Sequence, residues 1–290
     1  MTRQKVALVT GASSGIGYAA AKEFALRGYK TYSCARRLEP MEPLKEYGVI
    51  PVVCDVTSPE SVENLKSQIA RECDGYLDIL YNNAGQSCSL PALDVTDDMF
   101  KQCFEVNVFA PIRLTREFIP LLIKAKGVVG YTGSVSAVIP FPFSSIYGAT
   151  KAAIHQYAAT LRPELEPFGV RVLNIVTGGV KTNIADTRGV PETSLYQVPG
   201  IKEAVKERQQ MAARNNPMPA EVYARKVADD FELVTLRGKL NVYRGHMALF
   251  LGYLMYWCPR FVVEKILNRK FGLTAIFNQI RAKYSKTNVD

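Results

Sequence analysis

A strand that runs into a glycine loop and straight on into a helix constrains this chain more than any other feature. Lys5-Val6-Ala7-Leu8-Val9-Thr10 is an apolar run of strand length, Gly11-Ala12-Ser13-Ser14-Gly15-Ile16-Gly17 follows it, and Tyr18 to Ala25 reads as helix. Strand, loop and helix in that order form the setting of a dinucleotide fingerprint. Glycines permit the tight turn and let backbone N–H groups approach a pyrophosphate at the positive end of the helix. Gly11, Ser13, Ser14, Gly15, Ile16 and Gly17 are therefore candidate phosphate-side residues. The spacing is G-x-x-x-G-x-G, a departure from the commoner G-x-G-x-x-G. A plain turn is the competing reading for a glycine loop taken alone.

The second strand candidate, Lys30 to Cys34, ends in Ala35-Arg36-Arg37. An enzyme for NAD usually carries Asp or Glu here, accepting hydrogen bonds from the ribose 2′-OH. Guanidinium groups instead pair bidentately with a 2′-phosphate, which a carboxylate would repel. Arg36 and Arg37 thus point to NADPH, with two solvated surface charges as the alternative.

Further strand candidates are Ile50–Cys54, Leu77–Tyr81, Val128–Thr132 and Val170–Val176, with helices around 61–72, 98–124 and 147–168 between them. Such alternation predicts an α/β fold of the Rossmann type. Its doubly wound parallel sheet would carry helices on both faces, since crossovers are right-handed. Pro163 is expected to end or bend the helix begun near Ser145. A length of 290 residues with 48% apolar content suits one domain. Residues 1–242 would hold it, including a proline-rich lid with a charged helix at about 183–219. Residues 243–290 would form a helical tail.

Chemistry gathers at Ile146-Tyr147-Gly148-Ala149-Thr150-Lys151. On a helix the i,i+4 spacing puts phenol and ammonium on one face. An unperturbed tyrosine has a pKa of about 10, and a fixed cation beside it would bring that value down toward working pH. Ser134 supplies a hydroxyl to polarise a carbonyl. Together they describe a site that reduces C=O or oxidises CH–OH; singly they are two amphipathic residues on a helix surface.

Thr10 to Gly17, Asn82-Asn83-Ala84-Gly85, Asn107, Ser134 and Tyr147-x-x-x-Lys151 together resemble the short-chain dehydrogenase/reductases, in order, over about residues 5 to 185. The resemblance implies Tyr147 as general acid or base, Lys151 lowering its pKa and holding the nicotinamide ribose, and Ser134 orienting the carbonyl. It implies that Asn107 holds a water relaying protons from Lys151. Asp55 would bond adenine, Asn83, Ala84 and Gly85 would line its ribose, and Val180 and Thr182 would meet the carboxamide. Thr177-Gly178-Gly179 stands where the family usually has Pro-Gly, which puts the local backbone in question. Segments 34–41, 81–88, 151–158, 217–220 and 242–245 resemble a fungal branch of the family that reduces 1-acyldihydroxyacetone phosphate with NADPH. That branch implies a lipid substrate and a site on the cytosolic face of the endoplasmic reticulum and lipid droplets. A steroid, retinoid or other hydrophobic ketone is the alternative substrate. Near the lid's start, Lys181 and Arg188 are candidates to face an anionic head.

Met247 to Cys258 is uncharged and holds the chain's one tryptophan. Spanning a bilayer takes about 20 apolar residues, so this run suits an interfacial or a core helix. Beyond it lie seven Lys/Arg (260, 265, 269, 270, 281, 283 and 286) against Glu264 and Asp290, in a chain of net charge +9. Apolar residues flanked by cations fit an in-plane membrane contact; a homo-oligomer or lid contact with a solvated basic tail is the other reading. Neither nucleic-acid binding, a metal site, nor a secretion signal is expected. Six scattered cysteines read as free thiols. Gly11 to Gly15 also spells G-x-S-x-G, an esterase elbow, yet neither His155 nor His246 has an evident path to Ser13. His155 itself, four residues past Lys151, reads as a packing residue.

Overall fold

The computed structural model describes residues 3–285. Seven parallel strands form one sheet in the order β3-β2-β1-β4-β5-β6-β7. They are β1 (Val6–Thr10), β2 (Lys30–Ala35), β3 (Ile50–Val53), β4 (Ile79–Asn82), β5 (Val128–Thr132), β6 (Arg171–Thr177) and β7 (Asn241–Arg244). The order reverses between β1 and β4, which opens a crevice at the carboxyl ends of these strands.

Period-two alternation sorts the strand residues between two cores. Val6, Leu8, Leu80, Val129, Tyr131 and Val172 face one side, and Ala7, Val9, Ile79, Tyr81, Leu173 and Ile175 the other. On the first side lie α2 (Pro59–Glu72), α4 (Ala110–Ala125) and α5 (Ser145–Leu165), reached through the short α3 (Asp97–Phe104); on the second lie α1 (Gly15–Leu26) and α7 (Ala220–Leu233). Gly130 in the central β5 is required by packing, because a Cβ there would stand 2.2 Å from the Phe231 ring of α7. Burying such a ring contributes about 1.5–3 kcal/mol.

Three expectations need correction. The helix expected over 98–124 is α3 and α4 joined through a π turn at Glu105–Phe109, where the Ala110 N–H reaches back to the Glu105 carbonyl. Pro163 does not end α5 where it stands, since the helix runs two residues further to Leu165 before a 3₁₀ turn at 166–168. The boundary at 242/243 falls inside β7, so the sheet continues into what reads as tail.

The lid helix α6 (Ile201–Arg214) and the tail helices α8 (Ala248–Trp257), α9 (Arg260–Lys270) and α10 (Leu273–Ser285) share a third core. Ile201, Ala204 and Val205 of α6 pack there with Val263, Leu267, Phe271, Leu273 and Ile276. The tail therefore braces the lid. Lys286 and Asp290 of the basic segment lie outside the described residues.

Candidate active site

The glycine loop lies at the carboxyl end of β1, and its shape depends on the missing side chains. Gly11 (φ +68°) and Gly15 (φ +56°) occupy left-handed conformations. A Cβ on Gly17 would sit 2.4 Å from the Gly11 carbonyl oxygen and 2.5 Å from the Asn83 amide nitrogen. Ser14 precedes α1 in extended conformation, and the first turn carries no acid, so its N–H groups remain available to an anion. Ser13 lies in the loop, and Ile16 turns into the adjoining core.

Thr10 and Asn83 lock this loop to β4. The Thr10 hydroxyl accepts from the backbone N–H of Asn83 (3.1 Å) and Ala84 (3.0 Å), while Asn83 Nδ2 donates to the Thr10 carbonyl at 2.9 Å. The Asn83 side chain is thus a strut between strands, and what faces the crevice here is the backbone of 83–85. Thr182 closes the far side, its Cγ2 about where a Gly15 Cβ would touch, at 3.1 Å; Val180 before it is buried and bridges to Met218. The Thr177-Gly178-Gly179 departure has a clear backbone: the N–H of Gly178 donates to the Arg244 carbonyl and that of Gly179 to the His246 carbonyl. A proline at 178 would lose the first of these bonds.

Arg36 and Arg37 follow β2, exposed, and neither enters an ion pair among the described residues. Asp55, after β3, spends Oδ1 on the N–H (2.9 Å) and hydroxyl (2.8 Å) of Thr57.

The chemical residues come from β5 and α5. Lys151 is buried, donates from Nζ to the Thr132 carbonyl at 2.7 Å and lies 5.7 Å from the centre of the Tyr147 ring. Asn107, on the π turn, grips Gln86 at both ends: Oδ1 accepts from its N–H (2.8 Å) and Nδ2 donates to its carbonyl (2.9 Å). π turns recur at functional sites, and this one brings Asn107 close to Lys151, since a Cβ on Gly85 would meet both. Ser134 neighbours the Tyr147 hydroxyl and is held by His155, whose Nε2 accepts the Ser134 N–H at 3.1 Å.

Electrostatics here differ from the sequence expectation. Burial pushes the Tyr147 phenol up to about 12, against the lowering effect of Ser134. The residue as a whole is half-buried, and its phenol group is surrounded by protein. Burial also lowers the Lys151 ammonium to about 8 and, with the Lys151 charge assisting, His155 to about 4. The ammonium faces the ring and the Thr132 carbonyl rather than the phenol oxygen, and desolvation wins. Tyr147 is consequently a protonated acid at neutral pH, as carbonyl reduction requires.

His155 is a positioning residue, a role its sequence context does not show. With Nε2 given to Ser134, and no hydrogen bond from either histidine to Ser13 among the described residues, the esterase reading has no geometry behind it. Arg188 is also corrected: its guanidinium is spent on Asp186, whose carboxylate in turn accepts from the Ser89 N–H. Lys181 is exposed.

A dinucleotide crevice ending in this Ser-Tyr-Lys arrangement defines an oxidoreductase of CH–OH and C=O groups. The family profile described as short chain dehydrogenase matches residues 5–192, and the chain belongs to that family. It is 48% identical to the NADPH-dependent 1-acyldihydroxyacetone phosphate reductase of Saccharomyces cerevisiae, across 97% of this chain and 95% of that one. Identity to the Schizosaccharomyces pombe protein of the same description is 38%, over 68% and 69% of the two chains. Among solved structures, a short-chain dehydrogenase from Streptomyces avermitilis superposes with a TM-score of 0.76 at 28% identity, covering 94% of this chain and 99% of that one.

Proposed function

We propose that the protein reduces the ketone of 1-acyl-dihydroxyacetone phosphate with NADPH, giving 1-acyl-glycerol 3-phosphate (lysophosphatidic acid) for glycerolipid synthesis. The observation that carries the reading is the gathering of Ser134, Tyr147 and Lys151 at the end of the crevice, with the Lys151 ammonium 5.7 Å from the centre of the Tyr147 ring. Bound NADPH supplies the hydride. The glycine cradle fits its pyrophosphate, and Arg36 and Arg37 fit its 2′-phosphate. During reduction Ser134 orients the carbonyl oxygen, Tyr147 passes it the phenolic proton, and Lys151 steadies the phenolate left behind. An open cleft of about 470 Å³ between the 90–99 segment and the lid offers an acyl chain Leu90, Leu93, Val95, Met99 and Leu195, with Asp94 and Arg188 also in its wall. Relatives named for this activity support the substrate.

The test is NADPH consumption across a panel of lipid ketones. We expect the acylated phosphate to give the highest kcat/KM, and Arg36→Ala/Arg37→Ala to lose at least about tenfold of the preference for NADPH over NADH. A steroid or retinal turned over faster than the phosphorylated ketone would replace the substrate assignment.

The enzyme, on this reading, meets its substrate at a lipid surface such as the cytosolic face of the endoplasmic reticulum or a lipid droplet. Helix α8 is too short to span a bilayer, and no described helix is long and apolar enough to do so. Leu249, Phe250, Tyr253, Tyr256 (78% exposed) and Trp257 (85%) point outward together at helical spacing, with Phe261 beside them and Arg260, Lys265, Arg269 and Lys270 following. Cutting the chain at Val242 would divide β7, so point substitutions are the right probe. Since Trp257 is the only tryptophan, its emission reports the contact directly. Vesicles containing phosphatidylserine are expected to blue-shift it and float the protein, and Phe250→Ser/Tyr256→Ser to abolish flotation. Unchanged emission with vesicles, or a concentration-dependent dimer that Phe250→Ser/Tyr256→Ser disrupts, would assign the face to a second copy.

A further inference from the structure

The lid helix α6 buries Ile201, Ala204, Val205 and Arg208, the i, i+3, i+4, i+7 positions of its inward face. Three are apolar; the fourth is an arginine with 7% of its surface exposed. Of its five N–H donors one is spent, from Nη2 to the Ser144 hydroxyl at 2.6 Å. The guanidinium lies 4.9 Å over the Phe141 ring, Nε is sealed away without a partner, and no carboxylate reaches it among the described residues. Of the half-buried arginines, Arg188 is neutralised by Asp186 and Arg244 by Asp230, while Arg162 and Arg171 donate to backbone carbonyls, Arg162 to Leu236 and Arg171 to Val234 and Lys126. A buried charge without a counter-charge is costly, and a planar fork with free donors is the form that phosphate and carboxylate recognition takes.

Its position tells which anion. Ser144 stands at the start of α5, three residues before Tyr147 and on the same face. Three residues rise about 4.5 Å along a helix, and the Arg208 charge acts on the Tyr147 phenol, so a group held by Arg208 lies near the acid. A ketone and a phosphate joined through a single CH₂–O unit are close enough together to meet both groups.

We infer that Arg208 is the residue that binds the substrate's phosphate and so sets the preference for phosphorylated over neutral ketones, a role that rests on the reductase reading above. The lid then completes the site from above, with an anion supplying the partner the fold withholds. Burial draws the guanidinium down to about 10, still charged at neutral pH.

The test compares wild type, Arg208→Met and Arg208→Lys with 1-acyl-dihydroxyacetone phosphate and the matching unphosphorylated 1-acyl-dihydroxyacetone, at saturating NADPH. The ratio of kcat/KM for the phosphate over the neutral ketone is expected to fall about 100-fold in Arg208→Met, mostly through KM, and to recover in part with lysine. A second arm needs no turnover: glycerol 3-phosphate should raise the melting temperature of the NADP-loaded wild type but not of NADP-loaded Arg208→Met. If the wild type leaves the ketone untouched yet this stabilisation depends on Arg208, the reductase substrate is wrong and the anion site stands. An unchanged ratio overturns the inference. So does equal stabilisation of both proteins, or an equal kcat loss on both ketones with a displaced pH profile, which would make Arg208 a modulator of Tyr147.

Discussion

Tyr147→Phe is expected to lower kcat for ketone reduction about 1,000-fold while NADPH binds as before. A positioned general acid contributes roughly 10²–10⁴ in rate, and 1,000-fold corresponds to about 4 kcal/mol of barrier. The substitution removes one oxygen and leaves the ring that lies against the Lys151 ammonium, so the loss should appear in kcat with the packing kept. Quenching of NADPH fluorescence on binding would verify that the crevice is intact, and single-turnover rates would isolate the chemical step. Phenylalanine turning over at the wild-type rate would remove Tyr147 from the mechanism and make another donor, or water, the acid.

The sheet was largely legible because its strands are apolar runs punctuated by glycine, proline and polar turns. Val128–Thr132 coincides with its structural bounds, and the other five candidates shift by one or two residues at their ends. β7 escaped notice for a physical reason: four residues at the sheet edge, Asn-Val-Tyr-Arg, none fully buried, leave no apolar run to read. The tail misleads differently. Met247 to Cys258 is apolar on every side, so sequence alone cannot say which face turns inward. The structure docks α8 through its small residues: Ala248 is buried, and a Cβ on Gly252 would meet the Tyr243 ring at 2.2 Å. Leu251, Leu254 and Met255 pack half-buried against the same core, while Leu249, Phe250, Tyr253, Tyr256 and Trp257 are left outside.

At the site, the placing of the candidate residues was legible and their energetics were not. Order and spacing brought Gly11 to Gly17, Ser134, Tyr147 and Lys151 to one crevice, yet the pair Tyr147–Lys151 looks acidifying only when burial is ignored. Desolvation depends on what covers a group, and here the cover comes from elements far away in the chain. His155 gave no signal beyond lying on the Lys151 face. Arg208 did carry one, an arginine at the core position of an otherwise apolar stripe, visible once α6 is read in register. Arg188, nearer in sequence to the expected head-group site, is neutralised by an aspartate two residues earlier.

The burial that governs Tyr147 leads to the second large effect, at Lys151. An ammonium lowered to about 8 is charged at pH 7 and loses its proton within the range an assay covers, while a phenol near 12 does not titrate there. Reduction needs both groups protonated: the phenol to give its proton, the ammonium to steady the phenolate formed. The rate must therefore be highest on the acid side and fall as pH rises through about 8. In kcat/KM for NADPH, which reports the free enzyme, we expect a level stretch from about pH 6 to 7 and a tenfold decline per unit beyond about 8. Lys151→Met should be slower by about 1,000-fold at pH 7 and show no such decline, because the titrating group is gone. A wild-type profile that climbs toward alkaline pH would mean the reaction draws on a phenolate instead. The ammonium would then act by holding that anion in the resting enzyme, and the buried acid would no longer be the proton source.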